Sequence, residues 1–126
     1  MALGIFLEPP IAKNAGGTIQ LRVDECNFIT VAAAVATTLR LPAPVSPADN
    51  LHFVIHLQTN QDLTILPPLV AGYPGAPLTM AGFNNLAIAS AAFTTAANRI
   101  GAVFECRTIN GRWWIQNSSP NTMTIA

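Results

Sequence analysis

Apolar residues never run far along this chain before a breaker interrupts them. Ten prolines, eight glycines and scattered asparagines cut the sequence into short stretches rich in Ile, Val, Thr and Phe. Short apolar runs bounded by turn formers are the pattern of β-strands, and helices of ordinary length find no room between the breaks. The reading predicts an all-β chain with strands over Gly4 to Leu7, Thr18 to Val23, Asn27 to Ala34, Thr37 to Leu41, Leu51 to Gln58 and Asp62 to Leu66. It continues with Leu86 to Ala89, Ala91 to Thr95, Ile100 to Thr108, Arg112 to Asn117 and Thr122 to Ile125. Such spacing in 126 residues suits one β-sandwich domain, jelly-roll-like or Greek key, over residues 18–126. Residues 1–17, with Pro9, Pro10, Gly16 and Gly17, read as an arm able to dock on a neighbour. The run VAAAVA at 31–36 has helix propensity, but Phe28, Ile29, Thr37 and Thr38 around it favour strand.

Two irregular regions stand out. PAPVSPADN, from Pro42 to Asn50, has three prolines and reads as a crossing loop. Pro67 to Asn85 surrounds Tyr73 with prolines and glycines, and a loop of that length is usually functional or pinned by a neighbour. Intersubunit contacts are expected there.

The sharpest local signal is Asn110-Gly111 between two strand-like runs, a pair suited to positive φ at both centres of a type I′ turn. If Ile109 faces Arg112, then Thr108 faces Trp113, Arg107 faces Trp114, Cys106 faces Ile115 and Glu105 faces Gln116. The two tryptophans therefore point to opposite sides. Phe104, Cys106, Trp113 and Ile115 form the core face, while Trp114 joins Glu105, Arg107 and Gln116 on the polar one. Trp114 there covers its own sheet, anchors a protein contact or stacks on a sugar, and Arg107 is a candidate cation–π partner.

Charge narrows the function. Apolar residues make up 51% and charged residues 10%, well under the roughly 25% usual in soluble domains. Six basic and six acidic groups cancel, and Lys13 is the only lysine. No basic field is left for nucleic acid. A surface this poor in charge suits a subunit covered by copies of itself or by other chains.

Met1 to Pro10 lacks the basic start of a secretory signal. The charge-free stretch from Leu63 to Asn98 is too interrupted for a spanning helix, so no membrane partner is expected. Cys26 and Cys106 allow one long-range disulfide or two buried thiols, with thiols favoured. His52 and His56 share a strand face ~13 Å apart, too far to hold one metal. Six dispersed carboxylates and the lack of nucleophile or phosphate-loop motifs leave no catalytic, cofactor or metal residues to nominate.

The segments LHFVIHLQTNQDLTILPP and GAVFECRTINGRWWIQN resemble small β-sandwich proteins of tailed-bacteriophage virions, above all capsid cement or decoration proteins and pieces of tail fibres. The shared cues are the Gly-led strand, the Asn-Gly hairpin and the tryptophan just after it. The resemblance implies a non-enzymatic structural protein, made in the host cytoplasm and placed on the capsid surface. It would be a homotrimer bound to the major capsid protein of a phage. Read from the arm, the long loop and the polar face of the hairpin, the candidate interface residues are Pro9, Pro10, Ile11, Tyr73, Pro74, Arg107 and Trp114. A tail-fibre or carbohydrate-binding module using Trp114 and Tyr73 is the alternative.

Overall fold

In the computed structural model, residues 9–25, 28–82 and 87–126 are described. Twelve strands lie among them: β1 (Ile11–Ala12), β2 (Gly17–Gln20), β3 (Phe28–Val31), β4 (Thr37–Arg40), β5 (His52–Leu57), β6 (Leu63–Leu66), β7 (Met80–Ala81), β8 (Ala87–Ile88), β9 (Ala91–Phe93), β10 (Val103–Ile109), β11 (Arg112–Asn117) and β12 (Thr124–Ile125). They form a seven-stranded sheet in the order β1-β3-β5-β10-β11-β7-β8 and a five-stranded sheet in the order β12-β9-β6-β4-β2. The all-β, two-sheet class expected from the sequence is the one adopted.

The strand order within that class is mixed. Up to β6, consecutive strands step alternately from one sheet to the other, and β1, β3 and β5 run parallel, as do β2, β4 and β6. This half of the chain is a flattened winding of three turns, where a jelly roll or Greek key would place antiparallel neighbours. Ile11, Ile29 and Ile55 stack in register in one sheet, and Ile19, Leu39 and Ile65 in the other. Thr18, Thr38 and Thr64 make a second column on the outer face of the smaller sheet, where β-branched side chains pack well on the pleat. From β9 on, the added strands are mostly antiparallel: β9 beside β6, and β10 beside β5.

Alternation then builds the core. Ile29, Leu39, Phe53, Ile55, Leu57, Leu63, Ile65, Phe93, Phe104 and Cys106 are fully buried. Phe93 and Phe104 join the sheets with ring centroids 4.5 Å apart, and Trp113 stacks on Phe53 at 5.7 Å. The Trp113 indole Nε1 donates to the Pro42 carbonyl at 2.8 Å, which satisfies its one polar atom. The hairpin register matches the expected one at every pair from Glu105–Gln116 to Ile109–Arg112. Asn110 and Gly111 have φ of 52° and 77°, as a type I′ turn requires.

Three local readings are corrected. Strand β3 ends at Val31, and residues 32–36 turn across to β4, because the chain must leave one sheet for the other within five positions. Of the segment read as an arm, Ile11–Ala12 pairs with β3 and Gly17 opens β2. The Lys13 and Gly17 amides also donate to the Thr30 and Ala36 carbonyls at 2.9 Å. The ladder stabilises this stretch on the body. Within Pro67 to Asn85, a two-residue strand, β7, lies parallel beside Trp114. Gly4 to Leu7, Cys26, Asn27 and Leu86 fall outside the described residues.

Candidate functional site

The outer face of the larger sheet carries Trp114 and Arg107, opposite one another in register as expected. They help line a groove of about 680 Å³. Its apolar lining comes from Ile109, Trp114, Met123 and Ile125 together with the core residues Ile88 and Ile115, and its polar groups are Glu105, Arg107, Gln116 and Asn117. Glu105 is the centre of a small network. Its Oε1 is 3.1 Å from Nε2 of His52, and its Oε2 accepts from Ser118 Oγ at 3.3 Å and Gln116 Nε2 at 3.5 Å. Arg107 is exposed and, among the described residues, has no hydrogen bond, ion pair or ring contact. The cation–π contact with Trp114 is therefore not formed. Facing each other across the ladder sets the two backbones, while the long arginine side chain is free to swing into water.

The other candidate interface residues do not join this groove. Pro9 and Pro10 are exposed beside β1, at the opposite edge of the seven-stranded sheet from β7 and β8, and Ile11 packs against the core. Tyr73 is half-buried against the hairpin turn, its hydroxyl donating to the Asn110 carbonyl at 3.4 Å. A Cβ at Gly111 would lie 1.8 Å from that hydroxyl, so Gly111 is required by close approach as well as by φ. Pro74, beside Tyr73, is exposed. Phe104, Cys106, Trp113 and Ile115 all face the core as expected.

Tyr73 belongs instead to a second surface, one that sequence reasoning located only in part. The connections from β4 to β5 and from β6 to β7 meet at one end of the sandwich, where a Cβ on Gly72 would strike the Pro44 carbonyl oxygen at 2.0 Å. The β10–β11 turn joins them through Tyr73. On these three segments Val45, Leu69, Val70, Leu78 and Ile109 are all exposed, Leu69 and Val70 by about 70%. The opposite end also exposes Val35 and Ile100, but it is laced by polar contacts. Thr59 Oγ1 donates to the Ala33 carbonyl at 2.9 Å, the Thr122 amide donates to Asn98 Oδ1 at 3.0 Å, and Arg99 pairs with Asp62. The available signal was the pair Leu69-Val70 itself, apolar residues in a proline-rich loop that offers no strand to bury them.

The remaining ionisable groups are committed elsewhere. Asp49 Oδ2 accepts from the Val45 and Ser46 amides at 2.8 and 3.1 Å, which closes its turn, and Asp24 meets Arg22 at 3.1 Å on the surface. Glu25 is buried beside Lys13 and also accepts from the Arg22 amide at 2.9 Å. Burial pushes its carboxyl up, but the Lys13 and Arg22 hydrogen bonds and charges outweigh this and hold it below the usual value. Cys106 is a buried free thiol whose ionisation is pushed far up by burial, with the Glu105 charge adding to the effect. His56 lies edge-on to Phe28 with centroids 6.5 Å apart, while His52 serves Glu105. Among the described residues no group of three or more His, Cys, Asp or Glu is placed to hold a metal. Set against known protein families, curated proteins and solved structures, the chain matches none.

Proposed function

We propose that the chain is a non-enzymatic structural subunit of a virion: a cement or decoration protein that seats on the outer shell of a phage head and joins neighbouring capsid subunits. The observation that carries this reading is the loop end, where Val45, Leu69, Val70, Leu78 and Ile109 stand exposed on three segments braced against each other. Apolar side chains gathered on a braced surface gain free energy when a partner covers them, at roughly 25 cal/mol per Å² less the cost of association. A subunit repeated over a shell collects that gain at every site. The low charge and the resemblance of the carboxy-terminal segments to phage β-sandwich proteins support the same reading, with a homotrimer as the assembly unit.

The test is occupancy on heads assembled without the chain, from the virus that encodes it. Leu69→Asp with Val70→Asp should leave the fold intact, since both side chains are exposed, and lower occupancy at least tenfold. Undiminished occupancy of a folded double variant would remove the loop end as the seat.

The carbohydrate-binding alternative draws support from Trp114 in its groove beside Gln116 and Asn117. Tyr73 does not supply the second stacking platform, because it packs on the hairpin turn outside that groove.

A further inference from the structure

We infer that the groove beside Trp114 is a binding site for a small amphipathic carboxylate, an apolar body bearing one anionic head. This inference does not depend on the loop end, with which the groove shares Ile109. The wall is mainly aliphatic and aromatic, with Ile109, Trp114, Met123 and Ile125 along it, which fits a hydrocarbon body better than a hydroxyl-rich ring.

The charge of the site gives the head group. Lys13 pairs with Glu25, Arg22 with Asp24 and Arg99 with Asp62, while Arg40 donates to the Pro67 carbonyl and Arg112 to Thr79 and Met80. Arg107 alone among the described basic side chains has no such partner, and it lines the groove. Both oxygens of the neighbouring Glu105 are already engaged, by His52 on one side and by Gln116 and Ser118 on the other. Glu105 and Arg107 lie two positions apart on one strand face, ~7 Å along it. A carboxylate held by the guanidinium in bidentate fashion would stay at the Arg107 end, leaving the apolar body to run along the wall.

The probe is decanoate, kept below its micelle concentration and titrated into the full chain while the Trp114 indole N–H resonance is followed by NMR. Decanoate should shift Trp114 and leave the buried Trp113 resonance in place. Arg107→Gln, a change at an exposed side chain, should fold normally and weaken binding at least tenfold, with Arg107→Lys in between. Decylammonium and methyl glucoside should leave Trp114 unmoved. The inference is overturned if decanoate does not perturb Trp114, if Arg107→Gln binds as well as the parent, or if the cation or the sugar binds equally. Failure of head occupancy alone would leave this site standing.

Discussion

Adjacent tryptophans with opposite fates show how much one position matters on a pleat. Trp113 is 2% exposed, stacked on Phe53 and bonded to Pro42, so Trp113→Ala should destabilise the fold by ~3–5 kcal/mol in urea unfolding. Trp114→Ala, on the half-buried outer face, should cost far less by the same measurement. Glu25 offers a second residue-level test. Its carboxyl is held below its unfolded value of about 4.3, so its stabilisation is present above that value and is lost as pH falls through the folded one. Glu25→Gln should therefore lower stability by about 1–3 kcal/mol at pH 7. The gap between variant and parent should narrow as pH falls below the unfolded value of about 4.3, which chemical denaturation at several pH values would follow.

Among the elements, the β10–β11 hairpin was fully legible because all its information is local. Asn-Gly sets the turn, the turn sets the register, and the register assigns each side chain a face. Gly111→Val should be costly twice over, since valine resists a φ of 77° and its Cβ would collide with the Tyr73 hydroxyl. A loss of ~2 kcal/mol or more is expected, and Tyr73→Ala in the same background should recover part of it. The parallel winding was not legible. From Ile11 to Ile29 the turn takes 18 residues and from Ile29 to Ile55 it takes 26, so partners in register share no sequence period. About half of the excess in the second turn is taken up by the proline loop between β4 and β5. Nor could the pairing of Ile11–Ala12 be read, since two residues are too short to show alternation and form a strand only because β3 lies beside them.

For the whole molecule, the contrast between its ends organises the expectations about assembly. One end, where Val35 and Ile100 are exposed, is also tied by side-chain hydrogen bonds, while the other gathers five exposed apolar side chains on its loops, so self-association should be driven by burial and resist salt. Light scattering after size exclusion should give a mass near three chains, unchanged between low and moderate salt. A salt-sensitive oligomer would point to the few surface charges instead. A clean monomer would leave the loop end to be covered only on the shell. The loop from Pro67 to Asn85 could be singled out from the sequence, yet not the exposed apolar side chains that other segments bring beside it. Loops are ordinarily polar, and the gathering of Val45, Leu69 and Ile109 depends on contacts between segments far apart in the chain.

The winding also has a beginning, and that has a consequence for how the molecule stays finite. Among the described residues, β1 and β2 are the outermost strands of their sheets on the same side of the stack, a template on which another chain could add a further turn. Strand β1 is only two residues long, and Pro9 and Pro10 just before it carry no N–H, so an incoming strand would lose its ladder almost at once. At the start of β2, Gly16 and Gly17 both take positive φ and bend the chain away from a straight edge. The two prolines thus shorten the ladder that any strand added at this edge could form.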